Sequence, residues 1–255
     1  MGMSEKKQSL MFKILQALVY LFYRRPTIHG AENLPDEPCI LVGNHTQMNG
    51  PIVAELYLPG RNYIWCAGQM MHWKEVAPYA FEDFWSFKPK WTHWFFRLLS
   101  WLITPIAVCL FNNAHTVPVY HDARLRTTLR ESIELLSAGN NLVIFPEQNV
   151  PYNHILYDFQ DRFIDLARMY YRKTGRAVSF VPMYVAPNLR ETHIGTPIRF
   201  APEAPLDAER TRIKHELMDA ITEIAEALPE HTVVPYRNIP KRDYPKNRKE
   251  ANTAT

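Results

Sequence analysis

Residues 38–51 read PCILVGNHTQMNGP. The apolar run CILV is short and is closed by Gly43 and Asn44, a pattern typical of a buried strand that reaches a turn. Pro51 suits the first turn of a helix and is followed by IVAELYL, so a helix is predicted to begin at Gly50-Pro51. The stretch therefore predicts a strand, a polar loop and a helix in succession.

The same alternation of apolar runs and amphipathic segments continues along the chain. Further strands are predicted at 62–66, 116–120, 141–145, 178–185 and 195–200. Further helices are predicted at 124–137, 158–173 and 206–228. Alternating strands and helices indicate an α/β fold with a mostly parallel mixed sheet flanked by helices. We expect a single domain over 28–235, preceded by an amphipathic membrane-associating helix in 1–27 and followed by a basic irregular tail at 236–255.

Composition and charge exclude several classes of protein. The 255 residues are 47% hydrophobic and 22% charged, which excludes a disordered chain. The net charge of +3 is uneven, because residues 1–30 and 236–255 carry +4 each and leave −5 for the body between them. An acidic body does not suit nucleic acid, whereas basic ends beside apolar segments favour an anionic membrane surface. The three cysteines form no C-x-x-C pair, so neither disulfides nor a zinc site is expected.

Two apolar segments could meet a membrane. Residues 10–23 are too short to span a bilayer and have no signal-peptide cleavage site, so we interpret them as an interfacial helix. Packing of this helix on the protein's own core remains the alternative. Residues 94–111 are equally apolar and begin in a tryptophan cluster, a residue type favoured at headgroup level. A spanning helix stays open for this second segment.

Two predicted strand ends carry residues suited to chemistry. His45 follows the first strand, and Glu147 follows the strand 141–145 about one hundred residues later. Ligands of open α/β sheets bind at the carboxyl ends of strands, so the two side chains are expected near one site. A lone histidine after a strand is more often a structural residue, and a lone glutamate is more often a solvated surface group. No histidine pair has the spacing H-x-x-x-H and no glycine-rich nucleotide loop occurs, so no bound metal or nucleotide is expected.

The chain resembles the lysophospholipid acyltransferase family, which includes 1-acylglycerol-3-phosphate acyltransferases. The resemblance covers roughly 28–202 and rests on Asn44-His45, Phe145-Pro146-Glu147 and Val181-Pro182 in that order. It implies a glycerolipid acyltransferase-like fold. Together with the apolar segments and basic ends, it leads us to expect the protein at the cytoplasmic face of the cell membrane, either peripheral or monotopic. It also implies transfer of a fatty acyl group from acyl-CoA or acyl carrier protein to a lysophospholipid hydroxyl, with 1-acylglycerol-3-phosphate as the default acceptor. No bound cofactor and no covalent intermediate are needed.

The resemblance assigns roles to individual residues. His45 would be the general base, since a neutral imidazole can take a proton from an acceptor hydroxyl. Glu147 and the loop around it would bind the acceptor headgroup and are placed with the catalytic group. The expected substrate-binding residues are Asn44, His121, Arg124, Phe145, Pro146, Gln148, Asn153, His154, Asp158 and Asp161.

Three positions depart from the family pattern. The Asp expected five residues after His45 is Gly50, which leaves Asn49 or a carboxylate brought in by the fold to orient the imidazole. Glu147, Asp158, Asp161 and Asp165 are the candidate carboxylates. The position of the family's phosphate-binding Arg is His121, with Arg124 and Arg126 nearby, which puts the acceptor's phosphate in doubt. Gln148 replaces the Gly of Phe-Pro-Glu-Gly and could reshape the acceptor pocket.

Residues 149–175 allow two interpretations. In one, the predicted helix simply faces the core and has a solvated acidic side. In the other, Asn153, His154 and one of the Asp residues complete a modified active site. The same choice extends to the whole protein, which is predicted to be an acyltransferase or, alternatively, a lipid-binding relative that lost catalysis with the motif Asp. A carboxylate or Asn on His45 Nδ1 would favour the enzyme, and an apolar wall would favour the binding protein.

Overall fold

The computed structural model describes residues 8–120 and 122–248. Its helices are α1 (Leu10–Phe22), α2 (Asn49–Leu56), α3 (Trp73–Trp85), α4 (His93–Asn113), α5 (Leu125–Ser137), α6 (Asp165–Thr174) and α7 (Leu206–Ala227). Its strands are β1 (Thr27–His29), β2 (Cys39–Gly43), β3 (Asn62–Ala67), β4 (Thr116–Val119), β5 (Asn141–Ile144), β6 (Glu147–Pro151), β7 (Tyr157–Phe159), β8 (Ser179–Ala186), β9 (Glu191–Ile194) and β10 (Ile198–Arg199). The chain forms two compact units. The helical unit comprises residues up to 24 and 64–130, and the sheet unit comprises 25–63 and residues from 131 onward.

In the sheet unit, β2 lies between two parallel neighbours. It pairs with β5 on one side and with β8 on the other. Strand β8 also pairs antiparallel with β9 and β10, and β1 adds to β9 in parallel. Every residue of β2 is buried, which explains its uninterrupted apolar sequence, because strands covered on both faces need not alternate with polar residues. The carboxyl end of β2 therefore leads directly from the core into the His45 loop.

Helix α7 provides part of the cover over this sheet. It packs against β8 and buries an apolar stripe consisting of Ile213, Leu217, Met218, Ile221 and Ala225. Each fully buried Leu, Ile or Met side chain contributes about 1.5–3 kcal/mol by leaving water. Strands β6 and β7 form a separate antiparallel hairpin directly after β5. This hairpin carries Glu147 at its first residue.

In the helical unit, β3 and β4 are parallel and helices α3 and α4 pack on each other. Helix α1 lies against α4, where the Ser9 amide donates to Asn113 Oδ1 at 2.8 Å. Phe12 is the buried residue of α1. Among the described residues, the segment Lys90–Asn113 is long and apolar enough to cross a membrane, by length and composition alone. Large apolar side chains stand exposed on both helices, among them Leu21, Phe22, Trp94, Trp101 and Leu102.

The predicted fold class, α/β with a mostly parallel mixed sheet flanked by helices, is confirmed. The helix predicted at 158–173 was wrong in its first seven residues, because Asp158 lies on β7 and α6 begins only at Asp165. The strand predicted at 195–200 is limited to β10, and β9 precedes it. Helix α3 was not predicted, and Pro78 lies within it. The boundaries proposed at 27/28 and 235/236 stay predictions.

Candidate active site

The loop after β2 is held in an uncommon backbone conformation. Thr46 and Gln47 both have positive φ, 43° and 56°, which is costly for a β-branched residue such as threonine. Asn44 anchors the loop to β8, since its amide nitrogen donates to the Val185 carbonyl at 3.0 Å and its oxygen accepts from the Val185 amide at 2.7 Å. Asn44 is buried and its amide oxygen and nitrogen are both used, so it fixes His45 in place rather than facing a substrate.

His45 stands against aromatic rings at the carboxyl end of β2. Its imidazole meets the edge of Phe145 at 5.3 Å and of Tyr236 at 5.9 Å between ring centroids. Nδ1 is buried and has no hydrogen-bond partner in the part of the chain that the structure describes, although backbone groups of His45 and Gln47 favour the protonated ring. Burial dominates and lowers the pKa of His45 to about 4. The ring is therefore neutral at pH 7.

Gly50 occupies the position of the motif Asp. It is buried in the first turn of α2. A Cβ placed there would lie 2.7 Å from the His45 carbonyl oxygen, 2.8 Å from Cε1 of Phe145 and 3.0 Å from the Asn44 carbonyl oxygen. Two of these three atoms belong to the backbone, which cannot yield without moving the loop. The chain has therefore lost the carboxylate and also closed the space it would occupy.

Glu147 supports His45 through the main chain. One carboxylate oxygen accepts the His45 backbone amide at 2.7 Å and the other accepts the Tyr157 amide at 3.0 Å. Burial raises the pKa of Glu147 to about 7, although both amide hydrogen bonds favour its charged form. Glu147 does not reach Nδ1. It joins the His45 loop to the β6–β7 hairpin and acts as a positioning residue for the predicted base.

The predicted replacements for the motif Asp do not orient the imidazole. Asn49 donates its amide to the Thr46 carbonyl at 2.9 Å, within its own loop. Because Nδ1 has no partner among the described residues, neither Asn49 nor a carboxylate supplies the missing hydrogen bond. Thr46 Oγ1 is buried without a partner in the same loop. Each such buried polar atom costs about 1–3 kcal/mol, so the two together lower the stability of the fold.

The acidic residues of the predicted helix have other partners. Asp158 accepts a hydrogen bond from Gln148 Nε2 and pairs with Lys214, both at 2.6 Å. Burial alone would raise the pKa of Asp158, but the hydrogen bonds from Lys214 and Gln148 outweigh it and lower the pKa. Asp165 forms a bidentate pair with Arg210, and Asp161 precedes the turn that leads into α6. These contacts favour the structural interpretation.

Asn153 and His154 fasten the β6–β7 hairpin to other elements. Asn153 Oδ1 accepts the amides of Ile155 and Leu156, and its nitrogen donates to Thr222 on α7. His154 Nε2 lies 3.0 Å from the Asn247 carbonyl oxygen and 3.3 Å from Glu226. These partners favour the structural interpretation of the two residues over the modified site predicted from Asn153, His154 and an Asp.

The remaining predicted residues divide between the two units. Phe145 forms the wall beside His45, and the Pro146 carbonyl accepts the Gln160 amide at 2.9 Å. In the helical unit, Arg124 pairs with Asp122 at 2.9 Å and Glu75 at 3.5 Å, and lies 3.9 Å over the Tyr120 ring. Its charge is thus already compensated. His121 lies outside the described residues.

The C-terminal segment contributes contacts that sequence reasoning missed. Tyr236 meets both His45 and Tyr157, and Tyr244 shares a hydrogen bond of 2.8 Å with Gln47 Nε2. Asn247, farther along, is fully buried and donates to the Ala225 carbonyl at the end of α7. The segment has little regular structure, and its only local signal is two tyrosines among charged residues. Nearly two hundred residues separate it from the loop it touches, so no spacing pattern could predict the contact.

A family model for acyltransferases matches residues 25–186, more than half of the chain. The chain belongs to the acyltransferase family. The match includes both His45 and Glu147, and it confirms the family and the enzyme class that the motifs predict. No curated protein matches this acyltransferase. Among solved structures, the 1-acyl-sn-glycerophosphate (LPA) acyltransferase PlsC from Thermotoga maritima is similar at 17% identity over 84% of this chain and 78% of its own, with a TM-score of 0.46.

Proposed function

We propose that this acyltransferase moves a fatty acyl group from acyl-CoA or acyl carrier protein to the hydroxyl of a lysophospholipid. The default acceptor is 1-acylglycerol-3-phosphate, and His45 is the general base. The observation that carries the proposal is the neutral His45 imidazole, held at a strand end with Nδ1 buried and Nε2 left for an acceptor. A base must be unprotonated at the working pH, and this one is.

The reaction needs one proton carrier and no covalent enzyme intermediate. The acceptor oxygen attacks the thioester carbonyl while His45 Nε2 takes the hydroxyl proton. The tetrahedral intermediate then expels the thiolate, which regains that proton from the imidazolium as the C–S bond breaks. Glu147 and Asn44 hold the His45 backbone during both steps.

The missing motif Asp predicts a slow enzyme. With a pKa of about 4, forming the imidazolium at pH 7 costs about 4 kcal/mol. A carboxylate accepting the Nδ1 hydrogen would lower this cost, and Gly50 supplies none. In a Ser-His-Asp protease, changing the orienting Asp to Asn lowers turnover about ten-thousandfold, which sets the scale of the penalty.

The second candidate function is lipid binding without catalysis. Nδ1 faces an environment without a partner, and the space of the motif Asp is filled by Phe145 and backbone. This closed arrangement suits a protein that retains the fold and a lipid-binding surface but has lost the chemistry. It is the observation that favours a binding or regulatory role.

Arg124 determines how well a phosphate on the acceptor could bind. Arg124 already interacts with Asp122 and Glu75, so a phosphate would have to displace two carboxylates to use its charge. An acceptor alcohol without phosphate, such as a glycolipid, would not meet this competition. An acyl-transfer assay on acceptors with and without phosphate distinguishes the two.

We also propose attachment to the cytoplasmic face of the cell membrane, as a peripheral or monotopic protein. The exposed apolar side chains of α1 and α4 support this, since each would gain free energy by leaving water. Trp94 and Trp101 are exposed at 69% and 55%, and tryptophan favours the headgroup level of a bilayer.

The deciding experiment is a mass-spectrometric acyl-transfer assay. Wild type, His45→Ala and the surface control His215→Ala would be compared on lysolipids with and without phosphate, using acyl-CoA and acyl carrier protein as donors. We expect product from wild type and the control, and at least about a hundredfold less from His45→Ala. Equal product from His45→Ala would contradict the proposed base. No product from wild type, together with saturable lysolipid binding, would favour the second function.

A further inference from the structure

We propose that His29, Glu191 and His193 form a zinc-binding site that ties strand β1 to strand β9. Strand β1 is a three-residue strand that pairs in parallel with β9, with Thr27 opposite Glu191 and His29 opposite His193. Alternate residues of a strand project from one face, so Glu191 and His193 share a face. His29 joins them because it pairs directly with His193.

The side chains of His29, Glu191 and His193 lie close together without a metal. The rings of His29 and His193 stack at 4.6 Å between centroids and 15° between planes. Glu191 Oε2 lies 2.9 Å from His193 Nε2, and Oε1 lies 3.9 Å from His29 Nε2. One ligand atom from each residue lies within 4.8 Å of the others. Ligand atoms around a tetrahedral zinc at about 2.1 Å stand about 3.4 Å apart, so metal binding would turn the two stacked rings until a nitrogen of each faces the ion.

The surroundings also suit a metal. The side chain of His193 is 18% exposed, that of Glu191 32% and that of His29 46%, so the group is partly desolvated and reaches solvent at His29. On the inner side, β8 places the fully buried Tyr184 opposite His193. An ion could therefore enter from solvent and bind ligands that are partly shielded from competing water.

The donor set selects the class of metal. Two imidazoles and one carboxylate are the ligands of many three-residue zinc sites, which leave a fourth position for water. Magnesium and calcium prefer oxygen ligands and are disfavoured here. The sequence pattern gave no sign of this site, because His29 and His193 lie on strands 164 positions apart rather than on one helix.

Zinc at this position would act on the fold rather than on the acyl transfer. Strand β1 is short and pairs only with β9 among the described strands. Few backbone hydrogen bonds therefore attach it to the sheet. A metal that bridges His29 to His193 would close a long loop of chain. Because it binds the folded form preferentially, it would raise the unfolding temperature.

Zinc titration of the chelator-treated full chain tests the site. Calorimetry should show one ion per chain, and cobalt as a spectroscopic probe should give the visible absorption of a four-coordinate complex. His29→Ala, Glu191→Gln and His193→Ala should each lower zinc affinity at least tenfold, whereas His215→Ala, which removes an exposed histidine of α7, should not. Zinc should raise the unfolding temperature of wild type and of His215→Ala only.

The outcomes separate cleanly from the acyl-transfer proposal, since no readout depends on activity. Circular dichroism establishes that His29→Ala, the most exposed of the three changes, is folded. The site is disproved if wild type binds no stoichiometric zinc, or if His29→Ala and His193→Ala bind it as wild type does.

Discussion

Glu147 accepts the backbone amide of His45 at 2.7 Å and does not touch its imidazole. The two residues that the family pattern places in one active site are thus joined through the main chain. Glu147 also accepts the Tyr157 amide, so a single buried carboxyl holds the His45 loop against the β6–β7 hairpin. Glu147 thus holds the His45 main chain, while burial of the ring, against which Phe145 and Tyr236 pack, keeps the imidazole neutral.

The opposite pKa shifts of these two residues predict opposing effects on stability. The pKa of Glu147 rises from 4.5 to about 7, so its contribution is full below about pH 4.5 and is lost as the pH rises to 7. The pKa of His45 falls from 6.5 to about 4, so its contribution is full above pH 6.5 and is lost as the pH falls to 4. Each amounts to about 3 kcal/mol, and the two slopes oppose each other between about pH 4.5 and 6.5.

Single substitutions should separate the two pH dependences. The free energy of unfolding would be measured in urea from pH 4 to 8. Relative to wild type, His45→Ala should lose stability as the pH rises, because Glu147 then acts alone. Glu147→Gln should gain stability as the pH rises, because His45 then acts alone. The exposed Glu37→Gln is the control and should follow wild type. Parallel curves for all four proteins would refute the assigned pKa shifts.

Gly50 should tolerate no side chain. Gly50→Ala places a Cβ against two backbone oxygens, and overpacking of this kind costs about 1–3 kcal/mol in free energy of unfolding. Gly50→Asp should cost more and should not raise activity. Phe145→Ala should not rescue either variant, since it removes only one of the three contacts.

Gly139→Ala is the matched control for Gly50→Ala. A Cβ at Gly139 meets nothing within 4 Å, so the loss there reflects only its positive φ of 87° and should be about 1 kcal/mol. A gain of acyl transfer in Gly50→Asp would mean that the loop can open to admit the carboxylate, contrary to the packing described.

Tyr236→Ala should raise the pKa of His45 from about 4 towards 6.5. Its ring covers one edge of the imidazole, and removing it readmits water that stabilises the charged form. The imidazole resonances of His45, followed by NMR across pH, measure the change without any assay of activity. Tyr244→Phe removes the hydrogen bond to Gln47 but leaves the ring cover intact, so it should titrate like wild type. An unchanged pKa in Tyr236→Ala would exclude the cover as the cause.

Membrane binding should depend on the exposed apolar side chains at the end of α1 and in the middle of α4. Leu21→Glu with Phe22→Glu, and separately Trp101→Glu with Leu102→Glu, should each lower sedimentation with anionic vesicles at least tenfold, because burial of each side chain is worth about 1.5–3 kcal/mol. Met169→Glu, an exposed apolar position on α6, is the control. Unchanged sedimentation of both double variants would contradict the proposed attachment.

The apolar runs determined most of the fold. CILV at 39–42 has no polar position, which marks a strand buried on both faces, and β2 is that strand. The helix predicted from residue 158 onward was partly wrong. An amphipathic spacing also arises when buried residues such as Phe159 and Phe163 belong to a strand and a turn. Local periodicity cannot separate these cases when the pairing partner is distant.

By itself, the sequence determined the family, the α/β class and the two strand ends that carry His45 and Glu147, since apolar patterns and motif order are local properties. It could also reveal that Gly50 replaces the motif Asp. Only the tertiary structure decided that no described residue hydrogen-bonds Nδ1, that Glu147 accepts a backbone amide, and that the Tyr236 ring packs against the imidazole. These are contacts between residues about one hundred to two hundred positions apart, and their geometry depends on packing, which no local pattern records.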